Sequence, residues 1–156
     1  DAMTRAILGI DPGQSGAAVL WSPAGSLELW AAPFEGGEWN VKAMREIIDS
    51  AACKGAIALI EKVHGMPGQG GQAMFQFGYG YGHWVALIQA AGLRLEKVTP
   101  QAWQKAFLPD KMRGAKVPKT ERKNRLKLEA QRLFPEVRVT LKNCDALLIA
   151  EYGRKL

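Results

Sequence analysis

Apolar positions in this chain fall into short unbroken runs and into stripes at helical spacing, and the two kinds of pattern alternate. The runs Ile7-Leu8-Gly9-Ile10 and Ala56-Ile57-Ala58-Leu59-Ile60 are too short for helices and lack polar alternation, which predicts strands buried on both faces. Each run ends on an acid, Asp11 and Glu61. The pattern around the first run predicts a three-strand meander over 5–11, 16–21 and 26–32. Its turns are Pro12-Gly13-Gln14-Ser15 and Ser22-Pro23-Ala24-Gly25, both rich in turn formers. Asn40 is a good N-cap for a helix whose apolar stripe is Val41, Met44, Ile47, Ile48 and Ala51. With the strand at 56–61 this helix completes a strand–helix–strand unit, expected to be parallel and right-handed.

A glycine-rich loop over 63–71 leads into a helix expected at about 72–91. Met74, Phe77, Tyr81, Trp84, Val85 and Ile88 lie on one side of it, and Phe75, Tyr79, Ala86 and Ala90 on another. A helix apolar on two sides needs a second layer or a partner subunit. Gly78, Gly80 and Gly82 in its middle each weaken the helix by about 1 kcal/mol relative to Ala. A strand follows at 94–98, and Thr99-Pro100 opens a short helix through Trp103 to Phe107. Further helices are expected at about 120–134 and 145–152.

No repeat or linker interrupts this order, and 156 residues suit one domain over 3–156, with Asp1-Ala2 read as a cloning scar before Met3. No apolar run approaches the ~20 residues of a membrane span, and there is no targeting segment, so a cytoplasmic protein is expected. Cys53 and Cys144 are too few for a disulfide framework and read as buried, reduced thiols.

Charge adds a partner. Lys and Arg number 21 against 15 Asp and Glu, a net charge of +6, which suggests an anionic ligand. The excess is concentrated between Lys111 and Arg132, where Arg113, Lys116, Lys119, Lys123 and other bases face only Glu121 and Glu129. A solvated helix face would show the same run. The Gly/Pro-containing loop Arg113-Gly114-Ala115-Lys116-Val117-Pro118-Lys119 tilts the reading toward a flexible phosphate-binding arm.

The acids add chemistry. Two carboxylates at the ends of neighbouring central strands repel unless a cation sits between them, and a divalent metal is the simplest one. Asp145 opens the last helix, where a lone Asp is explained as a cap. Core packing does not require three acids that each head or end a buried element.

In this order the blocks Gly9-Ile10-Asp11-Pro12-Gly13 with Ser15-Gly16, Ile60-Glu61-Lys62-Val63, Pro67-Gly68-Gln69-Gly70 with Phe75 and Phe77-Gly78, Val98-Thr99-Pro100-Gln101-Ala102-Trp103, and Asp145-Ala146-Leu147-Leu148-Ile149-Ala150 resemble the RuvC-type Holliday junction resolvases, in their short phage and organelle form, within the RNase H-like superfamily. The resemblance spans nearly the whole chain. It implies an α/β fold with a mixed five-stranded sheet, the first three strands antiparallel, flanked by helices, and a homodimer acting on four-way or other branched DNA. It also implies that Asp11, Glu61 and Asp145 bind two catalytic Mg²⁺ ions, for which Mn²⁺ can substitute. Hydrolysis would be symmetric and leave 5′-phosphate and 3′-hydroxyl ends. Lys116 and Lys119 are the implied contacts to the scissile phosphate, although phosphate contacts away from the cut or plain solvation fit them as well, with Arg113, Lys123 and Gln69 as further DNA contacts. Phe75, together with Met66 at the glycine loop, would wedge or stack at the junction centre, although the helical spacing of Phe75 fits a core residue as well.

One departure stands out. The family carries a further acid or a His about one turn before the last aspartate, where this chain reads Leu141-Lys142-Asn143-Cys144. Glu151 lies on another face of that helix and cannot substitute. Either three acids and substrate phosphates suffice, or Lys142 acts as a fixed cation, or the site is weakened; the amide of Asn143 leaves open an acid-to-amide change. His64 lies within reach of Glu61 but reads as a surface loop residue. Trp21, Trp30, Trp84 and Trp103 read as core or interface anchors without chemistry. A junction-binding protein with little or no cleavage is therefore the competing reading. An ATP-binding domain of the actin and sugar-kinase type also begins with a strand, an aspartate and a glycine turn, but it needs a second lobe that 156 residues cannot hold.

Overall fold

The computed structural model describes residues 5–62, 68, 70–114 and 116–156. The three strands expected at the start form a meander, β1 (Ile7–Asp11), β2 (Ala17–Trp21) and β3 (Leu27–Ala31). They pair antiparallel, with Gly9 opposite Val19 and Val19 opposite Leu29. After a small hairpin, β4 (Phe34–Glu35) and β5 (Glu38–Trp39), the chain forms α1 (Val41–Cys53), β6 (Ile57–Glu61), α2 (Gly71–Ala90) and β7 (Leu95–Val98). Then come α3 (Pro100–Lys105), a 3₁₀ turn at Asp110–Met112, α4 (Lys119–Leu133) and α5 (Cys144–Arg154). The main sheet runs β3-β2-β1-β6-β7, and both β1–β6 and β6–β7 are parallel. This is the mixed five-stranded sheet expected from the sequence.

Alternation along the central strands divides the core in two. Leu8, Ile10, Ala18, Leu20, Ala58 and Ile60 point toward α1 and α2, while Ile7, Ala17, Val19 and Leu59 point toward α3, α4 and α5. Burial on both faces explains why these strands read as unbroken apolar runs. The caps also form as expected. Asn40 accepts from the Ala43 amide at 3.0 Å, and Thr99 accepts from the Ala102 amide at 3.1 Å with Pro100 in the first turn of α3.

Two expectations need correction. Val41 is exposed, because it occupies the first helical position before the stripe turns inward at Met44. Cys53 is exposed at the end of α1, so only Cys144 is a buried thiol. Within one chain the two apolar sides of α2 are not both covered, which leaves open the partner-subunit alternative for the exposed side. Trp84 and Ile88 in its second half are buried, whereas Met74, Phe75 and Tyr79 are exposed. Of its glycines, Gly80 has a clear packing reason: a Cβ there would lie 2.5 Å from the Trp39 ring, and Gly78 and Gly82 face open space.

Candidate active site

The same alternation aims the acids. Asp11 continues the series Ile7, Gly9, and Glu61 continues Ile57, Leu59, so both carboxylates leave the sheet on the side covered by α5. The register that sets Ile10 opposite Ile60 brings them to one edge, at the carboxyl ends of two parallel strands. Asp145 arrives from above. A Cβ on Gly9 would lie 2.7 Å from both the Ala146 carbonyl oxygen and the Ala150 amide nitrogen. Glycine at this position therefore lets α5 cross β1 backbone to backbone, with Asp145 in the first turn of the helix. The three acids line one cleft of about 540 Å³, together with Ser15, Gln104, Lys119, Arg122, Lys123 and Lys142.

Electrostatics in the cleft is dominated by negative charge taken from water. Burial pushes the Asp11 carboxyl up to about 6, and the charge of Asp145 adds to the rise. The Gly13 amide, donating to Asp11 Oδ1 at 3.3 Å, and the Lys123 ammonium oppose it. Burial likewise pushes Glu61 up to about 7, against a hydrogen bond that Trp103 Nε1 donates to Oε2 at 2.7 Å. Lys123 Nζ lies 2.7 Å from Asp145 Oδ2. Burial works against that ammonium, but Asp145 holds its pKa above the ordinary lysine value. The buried Cys144 thiol, 3.5 Å from Asp145 Oδ1, is pushed up to about 12 by burial and by that carboxylate, and stays protonated.

The donors are all carboxylate oxygens, the set a hard divalent cation takes. The pKa values of Asp11 and Glu61 are raised mainly by burial, with carboxylate repulsion added, and a cation beside them would favour the charged forms. Among the described residues, however, no three His, Cys, Asp or Glu side chains gather into a ready metal cluster. Asp145 is engaged by Lys123 instead. In chemical type the set fits a divalent cation, and Lys123 is the positive charge already there.

The other expected site residues separate. Lys119 and Lys123 line the cleft, whereas Lys116 is exposed outside its lining. Arg113 is tied down, donating from Nε to the Leu108 carbonyl at 3.0 Å and pairing with Asp110 at 2.6 Å, and it lines a neighbouring groove. Phe75 is 67% exposed and stacks on Tyr79 at 5.9 Å, which removes the core alternative. Gln69, His64 and Met66 lie outside the described residues.

Asn143 has structural work. Its Oδ1 accepts from the Thr140 amide at 2.8 Å, its own amide donates to Thr140 Oγ1 at 3.2 Å, and Nδ2 donates to the Arg138 carbonyl at 3.2 Å. An ionised acid could not make the last of these bonds. Glu151 is buried away from the cleft against Arg154, at 2.7 Å, as its helical position implied. Sequence reasoning missed Arg122 and Gln104 in the cleft wall, and it gave Trp103 no chemistry. Trp103 sits in the core as expected, yet it also touches a cleft carboxylate.

No protein-family model matches the chain, and no curated protein matches its sequence. Solved structures do match in fold. RuvC of Thermus thermophilus in complex with a Holliday junction substrate superposes with a TM-score of 0.63 at 14% identity, over 95% of this chain and 91% of that one. A second Thermus thermophilus RuvC structure gives 0.62 at 16% identity, over 94% and 92%. The chain has a RuvC-like fold. No helix among the described residues is long and apolar enough to cross a membrane.

Proposed function

We propose that this chain is a structure-selective DNA endonuclease that resolves four-way junctions by metal-dependent phosphodiester hydrolysis. The observation that carries the reading is the convergence of Asp11, Glu61 and Asp145, from three separate elements, on one cleft walled by Lys119, Arg122 and Lys123. The fold adds support, because a protein with this architecture has been solved with a Holliday junction.

Asp11, Glu61 and Asp145 would hold Mg²⁺ or Mn²⁺. Two such ions would supply an activated water and charge stabilisation at the leaving 3′ oxygen, consistent with 5′-phosphate and 3′-hydroxyl ends. The protein's own part is positioning. Lys123 offsets the charge of Asp145 in the free protein, while Lys119 and Arg122 are placed to neutralise backbone phosphates entering the cleft. Two copies about a two-fold axis would nick opposing strands symmetrically.

One observation favours a second reading, junction binding with little cleavage: Asp145 is already paired by Lys123. A labelled four-way junction and a matched linear duplex, incubated with Mg²⁺ or Mn²⁺, separate the two. Paired nicks on the junction that disappear in Asp11→Asn are expected. Tight binding without product at every metal concentration would establish the second reading instead.

A further inference from the structure

Trp103 is fully buried, yet its one polar atom meets the Glu61 carboxylate across 42 residues of sequence. The fold does not demand such a partner for a buried indole. Trp39 and Trp84 are also buried, and their Nε1 atoms have no hydrogen-bond partner. The indole is held firmly, because α3 starts at a Thr99 cap with Pro100 in its first turn, and Trp103 lies one turn further on. We propose that Trp103 is a positioning residue that orients Glu61 for a divalent cation by fixing Oε2 and leaving Oε1 to face it. The proposal rests on the reading of Glu61 as a cation ligand.

The chemistry of the donor supports this role. An indole N–H donates and cannot accept, so it selects the carboxylate and fixes its rotation. It is also neutral. Lys123 on Asp145 competes with a metal by charge, whereas Trp103 on Glu61 does not. Among the described residues no other side chain donates to Glu61, and the Trp103 bond is to Oε2 rather than Oε1. Outer partners of this kind orient a ligand and sharpen its affinity for the ion.

The test replaces Trp103 by β-(3-benzothienyl)alanine, which keeps the bicyclic volume and exchanges the N–H for sulfur. Calorimetric Mn²⁺ affinity should fall about tenfold or more, with Trp103→Phe showing the same loss. In the unaltered protein the Trp103 indole N–H resonance, assigned by its disappearance in the isostere, should move as Mg²⁺ is added, and in Glu61→Gln it should stay still. An isostere that binds Mn²⁺ as tightly as the unaltered protein overturns the role of Trp103 alone. An unaltered protein that takes up no Mn²⁺ overturns it together with the nuclease reading.

Discussion

Asp11 is where function and stability pull against each other. Its folded pKa stands at about 6 against an ordinary value of 3.8, mainly because the carboxyl is buried. Between those values the folded protein binds more protons than the unfolded chain. Stability from this group is therefore complete below about pH 4 and lost as pH rises through about 6. Glu61 acts in the same sense up to about 7. A shift of this size corresponds to roughly 3 kcal/mol per group at ~1.4 kcal/mol per pKa unit. Asp11→Asn keeps the acceptor for the Gly13 amide and removes the charge. Without divalent cation the variant should be more stable than the unaltered protein at pH 7.5, by about 1–3 kcal/mol in urea unfolding, and should lose the advantage near pH 4. Equal stability at both pH values would mean that the buried charge is not a strain on the fold. Ligation needs the deprotonated carboxylates, so Mn²⁺ affinity should climb between about pH 5 and 8 in calorimetry. A flat profile would count against Asp11 and Glu61 as the ligands.

The elements show which parts of the molecule local patterns can announce. The central strands, the Asn40 and Thr99 caps and the placement of Asp145 at a helix start were legible, because each depends on neighbours in sequence. The hairpin of β4 and β5 was not, since two-residue strands leave no periodicity. Neither was the bond from Trp103 to Glu61 nor the pair of Lys123 with Asp145, which exist only once α3 and α4 have docked beside α5. Gly9 lies between these cases. A glycine inside a buried strand signals a close backbone approach, but only the packed structure identifies α5 as what approaches. Gly9→Ala should push the α5 backbone away, cost about 3 kcal/mol or more, and move Asp145 out of register with Asp11. Gly82→Ala on α2 meets open space and should instead stabilise by up to about 1 kcal/mol. Urea unfolding of the two variants measures the contrast, and similar effects at both sites would show that α5 is not seated on β1 as described.

For the whole molecule, the question is how a protein with +6 net charge directs phosphates to a cleft whose floor is acidic. Lys119 and Arg122 stand in the wall of that cleft, while Lys116 lies outside it and Arg113 is engaged with Asp110. Phosphate neutralisation should therefore fall unequally on residues that are equally basic in sequence. Each phosphate contact on duplex arms contributes about 0.9 to the slope of log affinity against log salt. Replacing Lys119 and Arg122 together by Ala should lower the slope for four-way junction binding by up to about 1.8, and Lys116→Ala should lower it less than either. The measurement is a salt titration of junction affinity without divalent cation, which keeps cleavage out of the readout. If Lys116→Ala gave the larger change, the DNA would be held by the arm rather than by the cleft. The acids would then meet the backbone only after a rearrangement of the 113–119 loop.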